Sequence, residues 1–220
     1  GHVRRQVGQD DASIQAKDAL MFSCTTRASV CDATCPDCPK RAKRLLKYVF
    51  LDVDGVLNSR QHLQGLVPVY ADRLNPTDFE IGFNQISPEL VERLNGLVED
   101  DVVFVLSSMW RKWFKLDVMQ EMLRLRGFRG VLADATPSRL AECSRGHEIA
   151  SWIESETGVE LSRGQRAWPA FVILDDNADM DRLMCRLVQT DYDTGLQDEH
   201  IKRARSMLGL RVDVQLRFAP

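Results

Sequence analysis

Val49-Phe50-Leu51-Asp52-Val53-Asp54-Gly55-Val56-Leu57-Asn58 carries a short apolar run into two aspartates, one residue apart, and then into a glycine turn. Alternate side chains of a strand share a face, so Asp52 and Asp54 can converge where the strand ends. Two carboxylates that close repel unless a cation or a shared proton neutralises them. Such a pair can bind Mg²⁺, present one oxygen as a nucleophile and use the second carboxyl as acid and base. The plain alternative is a strand that ends in a solvated Asp-x-Asp-Gly turn.

Outward from this stretch, apolar strand candidates alternate with helical patterns. Tyr48–Asp52 reads as the first strand and Val102–Leu106, a continuous β-branched run, as a strand buried on both faces. Phe171–Leu174 is another, with shorter candidates at Gly130–Leu132 and Arg186–Gln189. Ser87-Pro88-Glu89 starts a helix, with serine as cap and proline at the first helical position. Further helices are expected at Leu116–Arg126, Glu148–Thr157 and Asp198–Met207, each followed within two residues by glycine. This alternation predicts an α/β fold, a doubly wound parallel sheet with helices on both faces. Ligands of such sheets sit at the carboxyl ends of the strands. Three strands here end in candidate groups: Asp52/Asp54, Ser107-Ser108 and Asp175-Asp176.

The chain has 220 residues, 44% of them hydrophobic and 28% charged, enough for one medium domain with a full core plus extensions. A formal net charge of -3 excludes a chain that attracts nucleic acid by bulk charge alone, although local basic patches are compatible with it. No apolar run approaches membrane-spanning length and the start lacks a secretory apolar core, so an intracellular, cytoplasmic protein is expected. Gly1-His2 in place of an initiator methionine reads as a cloning scar, which leaves the native N-terminus and any targeting segment open. Residues 1–44 are assigned to a cysteine-containing extension that ends in the basic linker Lys40-Arg41-Ala42-Lys43-Arg44, residues 45–210 to the main domain and residues 211–220 to a tail. Within the extension, Cys24, Cys31, Cys35 and Cys38 have a spacing that admits a structural Zn²⁺, although a reduced segment without metal is the default.

These motifs resemble the haloacid dehalogenase (HAD) superfamily of phosphohydrolases. Its first motif is matched by Leu51-Asp52-Val53-Asp54-Gly55-Val56, its second by Phe104-Val105-Leu106-Ser107 and its fourth by Ile173-Leu174-Asp175-Asp176. More narrowly, Asp54-Gly55-Val56-Leu57-Asn58, Leu106-Ser107-Ser108-Met109-Trp110-Arg111, Arg145-Gly146-His147-Glu148-Ile149 and Leu187-Val188-Gln189-Thr190 look like the HAD domains associated with multifunctional RNA-repair proteins. The resemblance covers roughly residues 45–208. It implies a HAD-like Rossmannoid fold and a Mg²⁺-dependent phosphatase in which Asp52 attacks phosphorus to form an aspartyl-phosphate. Asp54 would protonate the leaving oxygen and later help deprotonate water. Asp175 and Asp176 would complete the metal site with Asp52 and the Val53 or Asp54 backbone. Ser107 would hydrogen-bond a phosphoryl oxygen, with Ser108 beside it as a substrate contact. The third motif, a cation for the phosphoryl charge, falls to Arg145 just before a helix, with Arg111 as its rival and a further substrate contact.

Other residues have plainer expectations. Trp110 and Trp113 could stack a base, but packing against the loop below the site is favoured. Trp152 belongs to the core, His62 and His147 lack a metal-ligand partner, Asp179 and Asp181 fit a solvated helix start, and Lys202-Arg203-Arg205 fit a solvent-facing surface. Ser59–Ile86 holds no convincing long helix and reads as a short flap or minimal cap. An open site of that kind admits a phosphorylated macromolecule, with a nucleic-acid end favoured over a phosphoprotein. The rival of another class is a non-catalytic HAD-fold binding module. Intact Asp52 and Asp54 argue against that rival.

Overall fold

The computed structural model describes residues 45–71, 77–138, 143–158 and 169–212, of which 67–71 are described in backbone only. Cys24, Cys31, Cys35 and Cys38, and with them the expected zinc site, lie outside these residues, as do the basic linker and most of the tail.

Five strands form one sheet: β1 Lys47–Leu51, β2 Val102–Leu106, β3 Leu132–Ala135, β4 Ala170–Asp175 and β5 Leu187–Gln189. All four pairings are parallel and the order is β3-β2-β1-β4-β5. The chain builds outward from β1 through β2 to β3, then returns to the other side of β1 with β4 and β5. The reversal lies between β1 and β4, and the crevice outside their carboxyl ends is where such sheets bind ligands.

Both faces of the sheet are covered, as the β-branched runs require. Val49 and Leu51 point to one face, where they pack with Val91 and Leu94 of helix α3 (Pro88–Leu94), Met122 of α4 (Leu116–Leu125) and Ile201 of α6 (Asp198–Met207). Tyr48 and Phe50 point to the other, against Ile149, Trp152 and Ile153 of α5 (Arg145–Thr157). Trp152 is therefore core as expected, edge-on to Phe50 at 5.4 Å between ring centres, with its indole N–H donated to Asp134.

Two elements differ from expectation. The third strand starts at Leu132 rather than Gly130, because Gly130 is packed against the rings of Phe128 and Phe104 and strand pairing begins only where Leu132 meets Phe104. The segment between the first two strands, expected without a long helix, carries the twelve-residue α1 (Arg60–Ala71) and the eight-residue α2 (Asp78–Gln85). Distant backbone satisfies the start of α1: Arg60 N–H bonds Tyr192 O and Gln61 N–H bonds Asp193 O. A periodicity reading cannot see such partners. The α2 start is local, a capping box in which Thr77 and Glu80 satisfy each other's backbone N–H groups.

Candidate active site

The strand register assembles the site. Leu51 is level with Leu106 of β2 and with Leu174 of β4. Pairing continues one residue further, with Ser107 N–H donated to Leu51 O at 2.9 Å and Asp52 N–H to Leu174 O at 3.0 Å. Asp52, Ser107 and Asp175 therefore leave the sheet side by side. Asp52, Asp175 and Asp176 offer carboxylate oxygens that all lie within 4.8 Å of one another, and Asp52 and Asp175 are buried.

Gly55 makes room for the third carboxylate. It adopts φ +67°, which favours glycine, and a Cβ there would stand 2.5 Å from Asp176 Cγ. Burial and the nearby Asp52 carboxylate push the Asp175 carboxyl up to about 7. The same two causes raise Asp176. Three close carboxylates with an oxygen-only donor set and one neighbouring cation fit a hard divalent ion such as Mg²⁺.

That cation is Arg145, the first residue of α5. Ser144 caps the helix by accepting the His147 N–H at 3.1 Å, and Gly146 lies so close to the Met180 backbone that a Cβ would collide with it. Held this way, Arg145 Nη1 lies 3.4 Å from Asp52 Oδ2 and 3.2 Å from Asp175 Oδ2. The rival Arg111 is paired with a different carboxylate, although it lies near enough to Asp52 to feel its charge. Its side chain is buried and paired with Glu148 of α5 at 2.5 Å, and Nη1 donates to the carbonyls of Ser107 and Ser108. Ser108 is equally engaged: it is buried, and its hydroxyl accepts the Trp110 N–H to open a short 3₁₀ turn. Arg111 and Ser108 thus both bond the backbone of the loop that follows β2.

Ser107 is different. Its hydroxyl is fully buried and has no hydrogen-bond partner among the described residues. A buried hydroxyl without a partner is costly, so its position at the edge of the acidic cluster suits an acceptor brought by a ligand.

Asp54 does not stand on the strand face with Asp52. The chain leaves β1 at Leu51, and the Val53 carbonyl accepts the N–H groups of Val56, Leu57 and Asn58 to form a tight turn. Asp54 therefore lies outside the set of three clustered carboxylates found among the described residues. Its two oxygens are held separately, Oδ1 by Asn58 Nδ2 at 2.8 Å and Oδ2 by Trp110 Nε1 at 3.0 Å. Burial raises its carboxyl most and Asp52 adds to the rise, while the Asn58 and Trp110 hydrogen bonds oppose it.

Asn58, Trp110, Glu148 and Thr190 are the supporting residues to which sequence reasoning assigned no such role. Asn58 also accepts the Gly55 N–H, and Thr190 Oγ1 donates to Gly55 O while its N–H bonds Asp175 O, so both ends of the site share one frame. Their signal was membership of the stretches that carry the family resemblance, four residues after Asp54 for Asn58 and one after β5 for Thr190. The remaining candidates lie elsewhere. His147 is exposed, His62 bonds the Asn84 carbonyl, and Asp179 and Asp181 are exposed beside the α5 start. Lys202 and Arg203 are exposed, but Arg205 is not the solvent-facing residue expected: it is tied to Gly96 O and Glu99.

Beside Asp54 the insertion and the β2 loop border an open cavity of about 590 Å³, lined among the described residues by Trp110, Trp113 and Phe114 on one side and by Asp78, Ile81 and Gln85 of α2 on the other. Trp110 is buried as expected, but Trp113 is not packed below the site and is 69% exposed. Among the described residues no helix is long and apolar enough to cross a membrane.

Comparison with curated proteins and with solved structures yields no match. Residues 48–201 match the family described as the HAD domain in Swiss Army Knife RNA repair proteins, a span that takes in β1 from its second residue, the other four strands, and Asp52, Asp54, Ser107, Arg145, Asp175 and Asp176. With the parallel sheet and the acidic cluster where the motifs require them, the chain belongs to that family of HAD domains.

Proposed function

We propose that this protein is a Mg²⁺-dependent phosphohydrolase that removes terminal phosphate from nucleic acid through an aspartyl-phosphate. The observation that carries the reading is the Ser107 hydroxyl, buried and without a hydrogen-bond partner among the described residues, one residue past β2 and level with Asp52. A phosphoryl oxygen would satisfy it while phosphorus faces the Asp52 carboxylate.

In the first step an Asp52 oxygen attacks phosphorus. The bond from phosphorus to the ester oxygen breaks, and that oxygen takes a proton from Asp54. Asp54 suits this work because burial favours its protonated form. In the second step water attacks the aspartyl-phosphate, Asp54 takes back a proton, and inorganic phosphate leaves. Arg145, with Nη1 at 3.4 Å from Asp52, offsets charge on the phosphoryl oxygens as they approach. Asp52, Asp175 and Asp176 would hold Mg²⁺, which when bound neutralises the carboxylates and the phosphoryl charge.

Nucleic acid as substrate is supported by the family described above and by an open cavity beside Asp54 that α2 borders. The test is release of phosphate, with Mg²⁺, from RNA oligonucleotides phosphorylated at the 3′ or 5′ end, beside phosphopeptides and small phosphomonoesters. Turnover of the RNA ends is expected, abolished by EDTA. Preference for phosphopeptides would overturn the substrate, and silence on every phosphomonoester would leave a binding module.

A further inference from the structure

The cavity beside Asp54 has a composition that the reaction at phosphorus does not require. Trp110 and Phe114 form one wall, with ring centres 5.7 Å apart, and Trp110 is fixed there by its bond to Asp54. Gly82 of α2 lets Phe114 approach closely, since a Cβ there would stand 2.9 Å from its ring. Trp113 projects from the 3₁₀ turn with most of its ring exposed at the mouth. Asp78 and Gln85, at opposite ends of α2, supply the polar groups.

We infer that this cavity is a subsite for the base of the terminal nucleotide, with the base stacked on Trp113 and its polar edge read by Asp78 and Gln85. The inference rests on the reading of Asp54 as the group facing the leaving oxygen. Asp54 lines the cavity, so whatever is bonded to that oxygen lies in it.

Three features select a base from the possible leaving groups. A volume of about 590 Å³ falls in the range of small-molecule sites and accepts a base with its sugar, not a folded peptide. The wall is aromatic, and every base offers a π-face to it. Among the described residues no lysine or arginine lines the cavity, while Asp54 and Asp78 do. These two carboxylates disfavour a second phosphate there and favour an uncharged base. Asp78 accepts from an exocyclic amine or ring N–H, and Gln85 both donates and accepts.

The test compares a phosphorylated RNA oligonucleotide with the same oligonucleotide made abasic at its terminal nucleotide. Binding is measured to the D52N protein, and kcat/KM is measured with the protein carrying Asp52. Binding is independent of turnover, so it reads the subsite even if the phosphatase reading fails. The base-bearing end is expected to bind about tenfold more tightly than the abasic end, with a similar ratio in kcat/KM. W113A should bring both ratios close to one, W113F should keep most of the preference by retaining a ring, and D78N or Q85A should change which base is preferred. Equal binding of the two ends, or a ratio that W113A leaves unchanged, overturns the subsite. Tighter binding of a phosphotyrosine peptide than of any nucleotide end assigns the cavity to a protein ring instead and also overturns it. Loss of turnover on every substrate with the binding ratio intact would overturn the phosphatase reading alone.

Discussion

Gly55 and Asp176 share a space that only one side chain can occupy. Gly55 turns at φ +67°, and a Cβ on it would stand 2.5 Å from Asp176 Cγ. G55A therefore meets two costs. The left-handed backbone disfavours any β-carbon by roughly 1–2 kcal/mol, and the Asp176 carboxylate must move. The variant is expected to fold with a lower midpoint in urea and to bind Mg²⁺ at least about tenfold more weakly, a factor worth about 1.4 kcal/mol. Isothermal titration with Mg²⁺ checks this, and wild-type affinity would show that Asp176 is not a ligand.

D52N is expected to abolish turnover while keeping the fold. The amide has nearly the shape of the carboxylate but is no nucleophile. It also removes one of three mutually repelling charges, so without metal the variant should melt above the wild type. A rate within about tenfold of wild type, only about 1.4 kcal/mol in barrier, would end the covalent mechanism.

The raised Asp175 carboxyl makes a pH prediction of definite sign. Its folded value of about 7 lies above the ordinary aspartate value, so the folded state binds more protons than the unfolded state between the two. Metal-free stability should be fully present below about pH 4, for this group, and fall as pH rises to about 7, by an amount on the order of a few kcal/mol. Mg²⁺ binds the ionised form, so it should raise the melting temperature more at pH 7.5 than at pH 5. Calorimetry with and without Mg²⁺ measures both slopes, and a Mg²⁺-induced stabilisation that grows toward low pH would refute the acidic site.

Arg111 and Glu148 form a buried pair that holds the Ser107 and Ser108 carbonyls from below. E148A leaves a guanidinium buried without its carboxylate, which costs about 3–5 kcal/mol. The double variant R111M/E148L removes both charges and should recover part of that stability. Denaturant midpoints of the three proteins check the order. If the double variant is no more stable than E148A, the cost comes from packing rather than charge.

Much of this protein was legible before any coordinates. Val49–Asp52, Val102–Ser107 and Phe171–Asp176 are apolar runs that end in polar groups, and a buried parallel strand must be written that way because both of its faces are covered. Strand positions, the two-sided α/β fold and the identities of Asp52, Ser107 and Asp175 follow from that local rule. The choice of Arg145 over Arg111 does not. Both are arginines beside a motif, and only packing pairs Arg111 with Glu148 and turns Arg145 between Asp52 and Asp175. In the same way Asp54 leaves the carboxylate cluster because a turn intervenes, and Trp113 stands exposed because α2 meets the β2 loop across a cavity. Periodicity records which side chains avoid water, a property each residue carries along the chain. Which of two like charges finds a partner depends on distances between elements remote in sequence, and those exist only once the sheet and its helices have closed on one another.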